Sequence, residues 1–164
     1  MAKNALVTDE FTDAMIKSGA ALLRRLDTDG ADVRSAFWFY FSDVRSWKLI
    51  IASPKVDLEG PREFYKRIVK QNKVATKNEY VLSLNDIGVT NMSNTIVVLL
   101  GMAVGTPSKV ICEVRFSRNT VNGHFIEDAY IYRSNIYDEN KPDLEMKTIS
   151  KPKKQKNKQQ RMIN

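Results

Sequence analysis

The chain has 164 residues, of which 43% are hydrophobic and 27% charged, proportions typical of a single globular domain with a core of its own. One cysteine, Cys112, and one histidine, His124, exclude an intramolecular disulfide and a Cys/His zinc cluster, and we expect no metal and no cofactor. Residues 95–105 are the most apolar stretch, about half the roughly 20 residues that a membrane span requires. The N-terminus lacks the apolar region of a signal peptide, which predicts a cytoplasmic protein without membrane contact.

The net charge of +7 is concentrated at the C-terminus. Six of the 26 basic residues lie in the last 15 positions, which contain no acidic residue, so 20 basic and 19 acidic side chains remain before them. Because this segment is also poor in apolar residues, we predict a linker and disordered basic tail over 138–164. Polyanion binding is predicted for Lys151, Lys153, Lys154, Lys156, Lys158 and Arg161. The partner would be nucleic acid or an acidic protein, and a merely solubilising tail is the alternative.

The first predicted element is a helix that ends near Leu26, with Thr8 or Asp9 as its N-cap. An aromatic strand over 33–41 and a second strand over 47–52 follow, and the short turn between them indicates an antiparallel hairpin. The predicted register pairs Phe41 with Trp47, Phe39 with Leu49 and Phe37 with Ile51 on one core face.

A second helix is predicted to start at Pro61, because proline suits the first helical position. Its polar side carries a basic stripe formed by Arg62, Lys66, Lys70 and Lys73, which is either a solvated face or a second polyanion contact. A short strand and loop begin at Asn78, and residues 95–104 form a buried helix or a buried strand, of which the helix is favoured.

The dipeptide Asn122-Gly123 predicts a second hairpin, because both central positions of a type I′ turn need positive φ. The implied register pairs Val121 with His124, Asn119 with Ile126, Ser117 with Asp128, Arg115 with Tyr130 and Glu113 with Tyr132. One face would then be polar and carry Glu113, Arg115, Ser117, Asp128, Tyr130 and Tyr132. The other face would be core, with Thr120 opposite Phe125, and an ion pair between Arg118 and Glu127 near the turn.

This register separates residues that are close in sequence. Glu127 and Asp128 point to opposite sides of the sheet, and His124 is about 13 Å along the strand from Asp128. The polar face is therefore predicted to be an ion network around Arg115 or a binding surface. The spacing Glu113-Val-Arg115 is also similar to the (D/E)xK arrangement of metal-dependent nucleases, with Asp86 as a possible further carboxylate.

The sequence thus predicts an α+β fold over residues 1–137, in which an antiparallel sheet of two hairpins (about 33–52 and 110–133) carries two or three helices. P-loop, dinucleotide and serine-hydrolase motifs are absent. The predicted function is a non-enzymatic binding or regulatory module, with a protein or small ligand on the polar and aromatic sheet face and an acidic surface or nucleic acid at the tail. A divergent metal-dependent nuclease with Glu113 and Asp128 as ligands is the alternative, and homodimerisation through a sheet edge is a further possibility.

Overall fold

The computed structural model describes residues 2–136 and has mixed α+β content, as predicted. The helices in this range are Asp13–Thr28 (α1), Lys55–Glu59 (α2), Pro61–Lys73 (α3) and Thr95–Ala103 (α4). The strands are Lys3–Ala5 (β1), Ser35–Phe41 (β2), Ser46–Ala52 (β3), Tyr80–Leu82 (β4), Ile87–Thr90 (β5), Val114–Val121 (β6) and His124–Ser134 (β7). Residues 137–164, which include the predicted linker and basic tail, lie outside the described range. Within residues 2–136, every helix is too short or too polar to cross a bilayer.

Both predicted hairpins are present, and together with β5 they form one five-stranded sheet in the order β5-β3-β2-β7-β6. Antiparallel pairing of β2 with β7 joins the two hairpins. The predicted antiparallel sheet of two hairpins accounts for four of these strands, whereas the fifth, β5, pairs with β3 in parallel. The connection from β3 to β5 contains α2, α3 and β4, which is long enough for the crossover that parallel neighbours need. A separate parallel pair joins β1 to β4.

The register of the first hairpin differs from the prediction by one residue. Tyr40, and not Phe41, is opposite Trp47, because a four-residue loop over 42–45 joins Phe41 directly to Ser46. Arg45 closes this loop with a φ of 48°, a left-handed conformation that the sequence did not reveal. The one-residue difference moves each side chain of β2 to the sheet face opposite to the predicted one relative to β3.

Both faces of the sheet are covered by helices. Met15 and Leu22 of α1 and Phe64 of α3 pack against the face that carries Trp38 and Leu49. On the other face, residues of α4 and the sheet form a second cluster that contains Phe37, Ala52, Val97, Leu100 and Ile131. This two-sided burial explains why β2 is an almost uninterrupted run of apolar residues instead of an alternating pattern.

Helix termini follow local capping chemistry. α1 begins at Asp13 and not near Thr8, because the Thr12 side chain accepts a hydrogen bond from the Met15 N–H at 3.3 Å. The predicted start of α3 at Pro61 is confirmed. The apolar segment 95–104 is helical as favoured, and the Asn94 side chain caps it by accepting from the N–H groups of Ile96 and Val97.

Candidate functional site

The second hairpin has the predicted turn and, for most of its length, the predicted register. Asn122 and Gly123 have φ values of 48° and 80°, as a type I′ turn requires. The pairs Val121–His124, Asn119–Ile126, Ser117–Asp128 and Arg115–Tyr130 are all confirmed. The polar side chains of residues 115, 117, 128 and 130 therefore share one face near the middle of the hairpin.

The two faces of the hairpin exchange environments at Arg118. This residue has a φ of 50°, which turns the strand locally, and the ladder lacks a bridge between Arg118 and Glu127. Beyond it, Ile126 is 2% exposed in the second core cluster, whereas Phe125 is 65% exposed. The prediction that Phe125 is core is therefore wrong, and Arg118 and Glu127 do not form the predicted ion pair within residues 2–136.

Arg115 is held in one position by a carboxylate and two aromatic rings. Its Nε and Nη2 atoms donate to the two carboxylate oxygens of Asp128 at 2.6 and 2.5 Å. The guanidinium carbon lies 5.0 Å from the ring centroid of Phe11 and 5.7 Å from that of Trp47. Donation of these hydrogen bonds to Asp128 raises the pKa of Arg115 above its ordinary value. Of the predicted network around Arg115, the described residues thus contain the Asp128 pair but no ion pair with Glu113, and the ring of Phe11 covers part of the guanidinium.

The tyrosines of the predicted polar face have different surroundings. Tyr130 is half-buried, its ring centroid is 5.2 Å from that of Phe11, and burial raises its pKa. Tyr132 is 1% exposed and belongs to the core: its hydroxyl accepts from Trp38 Nε1 at 3.0 Å and donates to the Ile16 carbonyl at 2.6 Å. Burial of this phenol raises its pKa as well.

Glu113 does not take its predicted place opposite Tyr132. β6 begins only at Val114, and Cys112 donates its N–H to the Tyr132 carbonyl at 2.6 Å. Glu113 is exposed and immediately precedes the first residue of β6. Ser117 is also exposed and remains on the same face as Arg115 and Asp128.

An open groove of about 390 Å³ lies beside Arg115. Its lining combines aromatic, acidic and basic side chains: Asp9, Tyr40, Trp47, Ser117, Arg118, Glu127 and Asp128. Trp47 Nε1 donates to the Asp9 carbonyl at 3.1 Å, which fixes the N-terminal segment as one wall of the groove. Asp128 is neutralised by Arg115, whereas Asp9, Glu127 and Arg118 make no ion pair with any residue in the described range.

The sequence prediction found only the hairpin half of this groove. Asp9, Tyr40 and Trp47 come from three other segments, and only β2–β7 pairing brings them next to Asp128. The aromatic character of residues 37–47 was the available signal, but the wrong register of the first hairpin assigned Tyr40 and Trp47 to different faces.

The predicted basic stripe is an exposed side of α3, and acidic residues lie within it. Lys66 is 2.9 Å from Glu63, and Arg67 bridges Asp29 at 2.9 Å and Glu59 at 2.7 Å. The hydrogen bonds that Arg67 donates to Glu59 and Asp29 raise its pKa. The surface therefore carries both signs of charge. The six predicted polyanion-binding residues of the tail lie outside the described residues.

The carboxylates of the nuclease alternative are not assembled into one group. Both oxygens of Asp128 are occupied by Arg115, and Asp86 precedes β5 at the sheet edge opposite to β6. Four strand spacings of about 4.8 Å separate these edges by roughly 19 Å. Across residues 2–136, His, Cys, Asp and Glu side chains do not gather in threes that could hold a metal ion.

The chain was compared with known protein families, curated proteins and solved structures. None of the three comparisons finds a significant match.

Proposed function

We propose that this chain is a non-enzymatic binding module that holds a segment of a partner polypeptide in the groove beside Arg115. One observation carries the proposal: the groove has a rigid aromatic and ionic wall, and beside it lie charged side chains that make no ion pair with any described residue. Arg115, Asp128 and Trp47 are locked to one another, while Asp9, Glu127 and Arg118 line the same groove without ion-pair partners in the described range. A rigid wall lowers the entropy cost of ordering a ligand against it.

The charges of the groove favour a polypeptide that carries a lysine or arginine. Such a side chain would lie between the carboxylates of Asp9 and Glu127 and against the ring of Tyr40, where ion pairing and a cation–π contact act together. Arg118 would receive an acidic side chain or a carbonyl of the same segment. A nucleic acid would meet the carboxylates of Asp9 and Glu127, which repel phosphate.

The basic tail would supply a second contact under this proposal. Its six cations attract nucleic acid or an acidic protein surface by counterion release, without sequence specificity. A partner with a basic segment for the groove and an acidic surface for the tail would be bound at two linked places, which raises the effective affinity.

A homodimer through the edge of β6, to which no further strand of residues 2–136 pairs, is less favoured by the geometry. The left-handed residue Arg118 bends this strand, and the Asn119 side chain donates to the Ser117 carbonyl at 3.3 Å. Both features reduce the length of regular backbone that could pair with a second copy.

The proposal is tested by selecting binders from a random peptide library on the immobilised full chain. We expect the selected peptides to be enriched in lysine and arginine. The Glu127→Lys variant reverses one charge of the groove and should lose this enrichment. Glu63→Lys makes the same charge change on α3, outside the groove, and should select the same peptides as the unmodified chain.

Two results would contradict the proposal. One is identical selection by the unmodified chain and by Glu127→Lys. The other is selection of acidic peptides alone, which would assign all binding to the tail. The nuclease alternative stays a prediction that an assay with labelled DNA and RNA in Mg²⁺ or Mn²⁺ checks, with Glu113→Gln as its inactive control.

A further inference from the structure

Consecutive residues on both strands of the second hairpin line the groove beside Arg115. Ser117 and Arg118 of β6 line it, and so do Glu127 and Asp128 of β7. In a regular strand, neighbouring side chains point to opposite faces of the sheet, so one residue of each pair would lie on the other face. The hairpin therefore departs from regular strand geometry where it borders the groove, and this departure brings two further charges to the groove.

The departure coincides with the left-handed backbone of Arg118. Its φ is 50°, and the ladder between β6 and β7 has bridges at the residues on either side of it but none between Arg118 and Glu127. The Cβ atom of an L-residue disfavours this region of φ, which glycine adopts freely and asparagine more readily than arginine. The chain thus holds an arginine at a position where glycine or asparagine would suit the backbone better.

Arg118 and Glu127 carry opposite charges, yet they do not neutralise each other. They occupy opposite positions on two antiparallel strands, where a cation and a carboxylate normally attract and stabilise the sheet. Both residues are exposed, and neither makes an ion pair within residues 2–136. Internal ion pairing therefore does not account for an arginine at this disfavoured backbone position, and its charge is available to a ligand in the groove.

We infer that Arg118 is a specificity-determining residue of the groove and binds an acidic side chain of the partner segment. This inference rests on the binding function proposed above. The segment would place a lysine or arginine against Glu127 and Asp9, and an aspartate or glutamate against Arg118. Opposite positions on neighbouring strands are roughly 5 Å apart, which side chains within about four positions of each other can match. A uniformly basic segment would leave the Arg118 charge unpaired and repelled, so the groove selects segments of mixed charge.

Glycine at position 118 tests the inference, because it keeps the left-handed backbone and removes only the guanidinium. Arg45→Gly is the matched control: Arg45 has a φ of 48°, is exposed, and lies in the loop from β2 to β3, outside the groove lining. Peptides selected from a random library on the immobilised full chain should combine a basic and an acidic residue within about four positions. Arg118→Gly should keep the basic residue and lose the acidic one, whereas Arg45→Gly should select the same peptides as the unmodified chain. The three chains share one tail, so its attraction for acidic peptides is common to them.

The affinities of a selected peptide then form a double-mutant cycle between Arg118 and the acidic residue of that peptide. Arg118→Gly should weaken binding of the peptide about five-fold, and should not weaken binding of a version in which the acidic residue is replaced by its amide. Equal weakening of both peptides would overturn the inference and leave the groove as the binding site. Selected peptides without lysine or arginine would instead overturn the proposed function, and the inference with it. If Arg118→Gly does not give a cooperative thermal transition, Arg118→Asn takes its place, because asparagine also tolerates positive φ.

Discussion

Arg133 is fully buried in β7 and is bound at both terminal nitrogens by Asp27, which lies in the last turn of α1. Each of the two nitrogen–oxygen distances is 2.8 Å. The same guanidinium donates to the carbonyls of Val33 and Val110 at 2.9 and 3.0 Å. One side chain therefore ties the end of α1 to the segments that enter β2 and β6. Its burial without full hydrogen bonding would be prohibitive.

Replacing Asp27 with asparagine should lower the free energy of unfolding by about 3 kcal/mol, because the buried Arg133 charge would lose its counterion. Urea unfolding at neutral pH measures this change. Asp32→Asn is the matched control, since Asp32 pairs with Arg34 at 3.2 Å with its own side chain 42% exposed, and it should cost less than about 1 kcal/mol. Equal effects of the two substitutions would refute the structural role of Asp27.

Gly19, in α1, faces the Tyr132 hydroxyl and the indole of Trp38. A Cβ atom at this position would be 2.9 Å from Trp38 Nε1 and in severe contact with the Tyr132 phenol. Alanine in a helix interior normally stabilises by about 1 kcal/mol relative to glycine. Here we expect Gly19→Ala to destabilise by about 2 kcal/mol, because neither ring can move in the core. A melting temperature of Gly19→Ala above that of the unmodified chain, measured by differential scanning calorimetry, would be incompatible with this packing. The control is Lys17→Ala, at an exposed position of the same helix, which should be nearly neutral.

The exchange of faces at Arg118 predicts opposite effects for two adjacent residues. Ile126→Ala should lower the stability by about 3 kcal/mol, because Ile126 is 2% exposed in the second core cluster. Phe125→Ala should change it by less than about 0.5 kcal/mol, because this ring is 65% exposed. Chemical denaturation of both variants tests the exchange of faces at Arg118 directly. A strand without the turn at Arg118 would give the reverse order.

Asp86 has a pKa above its ordinary value of 3.8, mainly because the carboxylate is partly desolvated, while the positive charge of Lys48 acts in the opposite direction. The folded state therefore holds this proton more tightly than the unfolded chain, so stability falls as the pH rises through the window just above 3.8. Asp86→Asn should thus be more stable than the unmodified chain at pH 7, and this advantage should disappear near pH 3. The urea midpoints of both proteins at the two pH values measure this advantage. A stability difference that is the same at pH 3 and pH 7 would exclude titration of Asp86 as its cause.

The basic tail should account for binding to polyanions. Changing Lys151, Lys153, Lys154, Lys156, Lys158 and Arg161 to glutamine should abolish salt-sensitive retention on heparin. The corresponding change of Arg62, Lys66, Lys70 and Lys73 should leave most of the retention, because Glu63, Glu59 and Asp29 lie beside that stripe. Retention that survives the first set and is lost with the second would transfer the role to α3.

Local conformational rules were sufficient for several elements. Asn122-Gly123 determined the turn and the register of the second hairpin, because both residues tolerate positive φ. Pro61 determined the start of α3 in the same way, through its fixed φ and missing N–H. The division between a nearly neutral first 149 residues and a basic tail is likewise a property of the sequence alone.

Long-range packing decided the rest. Arg45 and Arg118 adopt left-handed backbone conformations that their side chains do not favour, and each changes which face of a strand is buried. The groove depends on the β2–β7 pairing, and Asp27, the partner of the buried Arg133, is 106 residues away in sequence. Local patterns determine a backbone conformation where one or two residues restrict φ. The desolvation of charges and the filling of a two-sided core depend on every chain segment that packs into the core. Only the tertiary structure specifies which segments these are.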